Sequence, residues 1–239
     1  MQFIKQVLKT HTLDVVPVIV NEAGASVYSA SEVAIEEYPD LDVTIRGAIS
    51  IAHRLQDPLS ELVKIDPKSI GVGQYQHDVN QTQLKDALTF TTESAVNTVG
   101  ADLNTASAAL LSYVAGIGQT LSKNIIQYRN ENGPFDDRKT LLKVPKLGPK
   151  SFQQCAGFLR IKSAKNLLDN SAIHPESYAL VKKMATALST PLSDLIGNDQ
   201  KINQLTLSDY VTDTIGLPTL IDIVSELKKP GLDPRSEFS

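Results

Sequence analysis

Two short stretches carry residue types at a spacing that could hold an anion. The first is Ala115-Gly116-Ile117-Gly118-Gln119 and the second is Pro145-Lys146-Leu147-Gly148-Pro149-Lys150. Each lies between an apolar helical segment and a second helix that opens directly from the turn. A helix N-terminus presents backbone N–H groups without intrahelical acceptors and the positive end of the helix dipole, so it attracts phosphate. The phosphate reaches those groups only if the turn carries little side chain, which Gly116 and Gly118 supply. Ile117, between them, is expected to point inward and lock the two helices, with Gln119 opening the second helix. Lys123 and Arg129 are expected to add charge without reading bases. In the second stretch Lys146 replaces the first glycine, Leu147 matches Ile117 and Gly148 matches Gly118. Pro149 suits a first helical position but removes one donor. The first turn is therefore expected to be the better amide site. The second is expected to bind through Lys146 and Lys150, or to serve as support. One Gly-Ile-Gly turn alone reads equally as a structural helix–helix connection. Two units about 30 residues apart read as paired helix-hairpin-helix motifs, which clamp two phosphates of a nucleic-acid backbone.

The other candidate chemistry is weaker. Glu22, after the apolar run VVPVIVN, and Asp78, in Tyr75-Gln76-His77-Asp78, stand where acids of a two-metal nuclease could stand. Their competing readings are a turn residue and a helix cap, and the strand that would supply the first acid of such a site is missing. His11, His53, His77 and His174 lack metal-ligand spacing. Cys155 falls on an apolar helix without a neighbouring histidine and reads as core. Gly71 and Gly73 do not form a dinucleotide fingerprint, because no strand leads in and no third glycine follows. No catalytic residue, metal or cofactor is expected.

The charge distribution supports the turns. The chain of 239 residues has a net charge of −4, unevenly spread. Residues 1–104 hold 7 Lys and Arg against 14 Asp and Glu; residues 105–165 hold 10 against 3; residues 166–239 hold 6 against 10. The basic block coincides with the two turns, the electrostatic footprint expected of a phosphate-binding surface. The acidic final section reads as a solvated helical cap or a contact for another protein. A single cysteine, no apolar run of the roughly 18 residues that span a membrane and no apolar signal core make the cytoplasm the default.

The elements that would position the turns are mostly helical. Phe3, Ile4, Val7 and Leu8 share one helical face, VVPVIVN reads as a short buried strand, and SEVAIEEY reads as a helix capped by Ser31. Val43, Ala48, Ile51, Ala52 and Leu55 mark the buried face of a further helix. A long helix is predicted from about Asn80 to Val99, ended by Gly100, with Asn104 capping the next helix. Phe135 is placed to fill the space between the two hairpin units. Further helices are predicted around Tyr178–Leu188 and from Pro218 to Pro230, followed by a polar tail.

The strings NEAGASVYSASE, RGAISIAHRLQDPLSELVKIDPKSIGVGQYQHDV, VNTVGADLNTASAALLSYVAGIG and RKTLLKVPKLGPKSFQQCAGFLRI resemble the bacterial Tex proteins, transcription accessory factors. The resemblance runs from about residue 15 to 235. Family members are larger, with an N-terminal helical region, a YqgF-like (RNase H-like) domain, helix-hairpin-helix units and a C-terminal S1 domain. The resemblance implies a mainly α fold: the end of a YqgF-like α/β domain over 1–78, a tandem helix-hairpin-helix domain over 79–165 and a helical section over 166–239. It implies sequence-independent binding of DNA or RNA, partners in the transcription or RNA-processing machinery, and roles for Gly116, Ile117, Gly118, Lys146, Gly148 and Lys150, which lie within matching motifs.

Overall fold

A computed structural model describes residues 1–230; the polar tail expected at the C-terminus lies outside the described residues. The chain divides into two compact units, one ending at Val79 and the next beginning at Asn80. Helices dominate both, as the sequence predicts, and the described residues hold only one two-stranded parallel pairing.

The first unit contains α1 (Gln2–Thr10), α2 (Ala25–Ser29), α3 (Glu32–Glu37), α4 (Val43–Gln56) and α5 (Pro58–Leu62). Ser31 caps α3 by accepting from the Ala34 N–H at 3.2 Å, and Asp42 caps α4 through Thr44 and Ile45. Tyr28, Ala34 and Ile65 form a small core. Beside it Lys64 Nζ lies 3.0 Å from Glu37 and 2.6 Å from Glu61, and the Tyr28 hydroxyl donates to Glu37.

Two expectations fail in this unit. The run Val15–Val20 pairs with no strand, and its Val16 and Ile19 side chains are 81% and 78% exposed. A strand exists only through a ladder partner, and the described residues supply none. On α4 the buried stripe is polar: Arg46, Ser50 and Arg54 turn inward while Val43, Ile45 and Leu55 face out. Each arginine fastens a neighbouring loop. Arg46 donates to the carbonyls of Tyr38 and Pro39, and Arg54 to those of Asn21 and Ala23. These multiple N–H donors satisfy loop carbonyls that an apolar side chain would leave bare.

The second unit opens with α6 (Gln81–Val99), capped by Asn80 and ended at Gly100, whose φ of 81° suits glycine. Only Val96 is buried on this helix; Leu84 and Leu88 are half-buried and Ala95 is exposed. Then come β1 (Ala101–Asp102), α7 (Ala108–Ser112), α8 (Gln119–Asn132), a 3₁₀ segment Arg138–Lys143, α9 (Pro149–Cys155) and β2 (Leu159–Arg160). Strand β1 pairs parallel with β2, Ala101 opposite Leu159, so the start of the first hairpin unit is tied to the end of the second. Leu103, Leu111, Ile125, Leu141, Leu159 and Ile161 fill the shared interior. Ser107, not Asn104, caps α7; Asn104 instead clasps the backbone N–H and C=O of Phe135. Phe135 is buried and stacks on Tyr128 of the first hairpin unit with ring centroids 5.3 Å apart.

The final helices are α10 (Tyr178–Ala187), α11 (Leu192–Leu195), α12 (Asp199–Ile202) and α13 (Leu217–Lys228), with a 3₁₀ segment Leu207–Tyr210 before the last. Leu168, Val181, Leu195, Ile223 and Leu227 make their core. Arg138, 1% exposed, reaches into this section. Its guanidinium donates to the carbonyls of Leu159, Ile173 and Ser171 and to the Tyr178 hydroxyl, while the Tyr178 hydroxyl donates to Asp169.

Candidate nucleic-acid interface

The two turns picked out by sequence fold alike. The Ile117 N–H donates to the Val114 carbonyl at 2.9 Å, and the Leu147 N–H to the Val144 carbonyl at 3.1 Å. Ile117 and Leu147 are both buried, locking each pair of helical segments as expected. Gly118 and Gly148 are the N-caps of α8 and α9, with φ/ψ of −93°/−176° and −87°/177°. Both backbones are extended, a conformation open to any residue, and a Cβ built on either glycine meets nothing within 4 Å. Glycine there leaves the helix end uncovered; the backbone does not demand it.

Gly116 and Lys146, two residues earlier in each turn, do occupy demanding backbone, at φ 79° and 66°. Gly116 also faces a neighbour: a Cβ there would lie 2.6 Å from Gln154 Cβ and 3.2 Å from the Ser151 carbonyl on α9. Its missing side chain serves the packing of one hairpin against the other. Lys146 holds the left-handed conformation despite its Cβ and presents an exposed side chain.

Neighbouring helices brace each turn. On α6, Asn97 accepts from the Ala115 N–H at 3.0 Å and donates to the Tyr113 carbonyl at 3.1 Å. On α8, Asn124 donates to the Pro145 carbonyl at 2.8 Å. The first N–H groups of α8, on Gln119, Thr120 and Leu121, meet no backbone acceptor among the described residues, and the Ser122 N–H is the first to bond, to the Gly118 carbonyl. In α9 the proline removes one donor, leaving Lys150 and Ser151 ahead of the Phe152 N–H, which bonds the Gly148 carbonyl.

Charge complements this difference. Lys146 and Lys150 flank the second turn and are exposed, as are Lys139 and Lys143 just before it. The first turn has Lys123, exposed one helical turn into α8. Arg129 does not join the interface. Its guanidinium is half-buried and donates to the carbonyls of Leu103 and Ala106, both at 3.1 Å, and burial lowers its pKa. Cys155 is buried, and desolvation pushes its thiol up to about 12, which suits packing and not nucleophilic attack. Glu22 and Asp78 are exposed in separate loops, and the described residues bring no three His, Cys, Asp or Glu side chains together as a metal-holding group.

A third hairpin escaped the sequence reading. The segment Thr214-Ile215-Gly216-Leu217-Pro218 repeats the register, with Gly216 as the N-cap of α13 at φ/ψ −85°/171° and the Leu220 N–H bonded to its carbonyl. The signal was the same apolar-Gly step into a helix, but without lysines. From Gln204 to Val224 there is no Lys or Arg, while Asp209, Asp213 and Asp222 are all exposed.

Comparison with known proteins matches these units. Residues 96–160 match a helix-hairpin-helix motif, residues 166–235 a helix-hairpin-helix domain, and residues 1–56 the Tex protein YqgF-like domain. The chain is 60% identical over 221 residues to the transcriptional accessory protein Tex of Neisseria gonorrhoeae, covering 92% of this chain and 29% of that protein. It is 59% identical over 221 residues to protein YhgF of Escherichia coli, with the same coverage of 92% and 29%. It is 59% identical over 149 residues to the human S1 RNA-binding domain-containing protein 1, covering 62% of this chain and 15% of that one. The chain thus spans less than a third of these relatives. With a Tex YqgF-like match, two helix-hairpin-helix matches and near 60% identity to Tex proteins along most of its length, the chain belongs to the Tex family.

Proposed function

We propose that the chain binds DNA or RNA through the sugar–phosphate backbone, without sequence preference and without turnover, as one part of a transcription accessory protein. Gly118, Gln119 and Lys123 form one contact, on a turn held in shape by Gly116 and Ile117, and Lys146, Gly148 and Lys150 form the other. The observation that carries this reading is the pair of uncovered N-caps, Gly118 and Gly148, with closely similar backbone geometry and open space where a side chain would stand. The first contact works through the amides of α8, the second through lysine charge. Neither aims a donor set at base edges, so affinity follows phosphate and not sequence. The third hairpin lies among aspartates and repels phosphate.

In domain terms, the proposal assigns 1–78 to the YqgF-like part, 79–165 to nucleic-acid binding and 166–239 to support or contact with transcription machinery, in the cytoplasm. No helix among the described residues is long and apolar enough to cross a membrane. The test is a salt titration of binding to matched single- and double-stranded DNA and RNA, with Mg²⁺ included in one arm. Steep weakening with salt on every sequence supports the reading. Undetectable binding at low salt, or Mg²⁺-dependent cleavage abolished by Glu22→Gln, refutes it.

A further inference from the structure

A cavity of about 410 Å³ opens beside the first hairpin, walled by Asn97, Thr98, Gln154, Phe158, Arg160 and His174 among others. Its volume lies in the range of small-molecule sites, roughly 300–1,000 Å³. The hairpin contacts described above do not use it.

Arg160 is the charge in this cavity. Its Nη1 donates to the Gly157 carbonyl at 2.7 Å, and more weakly to the Leu159 carbonyl at 3.5 Å. Its Nε and Nη2 make no hydrogen bond among the described residues; Glu226 attracts its charge, but no described carboxylate lies within ion-pair distance of it. Burial and the nearby Arg138 guanidinium lower its pKa to about 10, outweighing Glu226 and Tyr178, which raise it.

The orientation of its open edge follows from Gly100. A Cβ built there would lie 2.9 Å from Arg160 Cζ, 3.0 Å from Nη2 and 3.2 Å from Nε. A point closest to the central carbon stands over the face of the guanidinium and not in its plane. Gly100 therefore covers a face of the guanidinium and not its Nε–Nη2 edge. Those two N–H groups run parallel and match two oxygens of one phosphate or carboxylate.

The other walls narrow the ligand. The Gln154 side-chain amide makes no hydrogen bond among the described residues and offers a second donor. His174 is already spent: its Nε2 donates to the Gln153 carbonyl at 2.9 Å and its Nδ1 accepts from the Glu176 N–H at 3.3 Å. Its ring therefore presents no free polar atom, and with Phe158 it forms an aromatic wall. Asn97 is occupied by the hairpin backbone and Thr98 by the Ser94 carbonyl.

We propose that this cavity binds one nucleoside monophosphate unit, with the phosphate on the Arg160 Nε–Nη2 edge and the Gln154 amide and the base against Phe158 and His174. The unit is either free or the 5′-phosphorylated end of a strand. Inorganic phosphate satisfies the polar groups and leaves the aromatic wall empty.

The test titrates adenosine 5′-monophosphate, adenosine and inorganic phosphate into the ¹⁵N-labelled chain and follows the Arg160 Nε–H resonance. A saturable shift with the monophosphate, at least tenfold tighter than with adenosine or phosphate, is expected. Gln154→Ala keeps the Cβ that touches Gly116 and should weaken the monophosphate about tenfold, as loss of one charge-assisted hydrogen bond implies. Arg160→Lys keeps the charge, loses the fork and should abolish the preference. No saturable shift with any probe, or equal affinity for adenosine and its monophosphate, overturns the site. A short 5′-phosphorylated strand binding more tightly than its 5′-hydroxyl twin identifies the strand end as the source; equal binding of the twins with retained monophosphate affinity identifies the free nucleotide. Affinity for a 5′-hydroxyl duplex reports the hairpins alone, so failure of that reading is separable from failure of this one.

Discussion

Gly116 and Gly118 differ by two positions, and the structure gives them opposite duties. Alanine at 116 must keep a left-handed φ of 79° and fit a Cβ 2.6 Å from that of Gln154. The backbone term costs about 1–2 kcal/mol. Carbon atoms rest near 3.5–4.0 Å, so α9 must also move by about 1 Å, an overpacking cost of about 1–3 kcal/mol. A loss of about 3 kcal/mol corresponds to a melting temperature lower by roughly 6–12 °C for a domain of this size. Alanine at 118 meets nothing within 4 Å at φ −93°. An alanine N-cap costs about 0.5–1 kcal/mol relative to glycine, and the stiffer unfolded chain returns about 0.4–1 kcal/mol, so the fold should be nearly unchanged. Its methyl group, however, stands where a phosphate must approach the amides of α8. Loss of one charge-assisted contact weakens binding roughly ten- to a hundredfold. Thermal melts and fluorescence anisotropy on the same two variants separate these effects. Gly118→Ala that melts as wild type yet binds as wild type would refute the backbone-amide mechanism. So would Gly116→Ala that folds normally and loses only binding.

Further outcomes follow from other sites. Lys146→Gly relieves the left-handed strain, about 1 kcal/mol less the entropy glycine adds to the unfolded chain; it should hold or slightly raise the melting temperature while weakening binding on all sequences alike. Arg138→Met leaves the buried carbonyls of Leu159, Ile173 and Ser171 without their donor and Asp169 without its neighbouring cation, and should cost about 3–5 kcal/mol, read by denaturant titration; a neutral result would show that the Tyr178 hydroxyl and the residue-138 N–H suffice for that carboxylate. The first unit should lose stability as pH rises past about 10. Burial raises the Tyr28 pKa, and for Lys64 desolvation is outweighed by the Glu61 and Glu37 contacts, which raise it, so the stabilisation is complete below the unfolded values of 10.0 and 10.5 and is lost progressively as pH rises from them toward the higher folded values. Tyr28→Phe should flatten that dependence in a pH series of melts. Native Cys155 should resist alkylation at pH 8 and react on unfolding, which a thiol-reactive dye reports.

The hairpins were legible because their signals are local. An apolar residue followed by Gly and a new helix occurs within a few positions, and the turn hydrogen bonds of Val114–Ile117 and Val144–Leu147 follow from it. What Gly116 does was not legible, since its constraint comes from Gln154, 38 positions away in the chain. The third hairpin at Ile215-Gly216 carries the same local signal, but the lysines used to recognise the others are replaced by aspartates. The polar buried stripe of α4 inverts the usual periodicity rule, because Arg46 and Arg54 are needed for loop carbonyls that only the folded unit brings near. Val15–Val20 has the composition of a strand, yet composition does not provide a partner. Arg129 shows the same limit in the interface: its position suggested a phosphate contact, and its fold neighbours claim its donors.

The most direct measurement is the salt dependence of binding to two unrelated duplex sequences, for wild type and for the double variant Lys146→Ala/Lys150→Ala. Backbone binding requires equal affinities for the two sequences and linear log–log slopes. In the double variant, affinity should fall equally on both sequences and the slope should be smaller in magnitude by about 2, one phosphate per lysine. Unequal affinities, or an unchanged slope in the double variant, would contradict a phosphate clamp built on these hairpins.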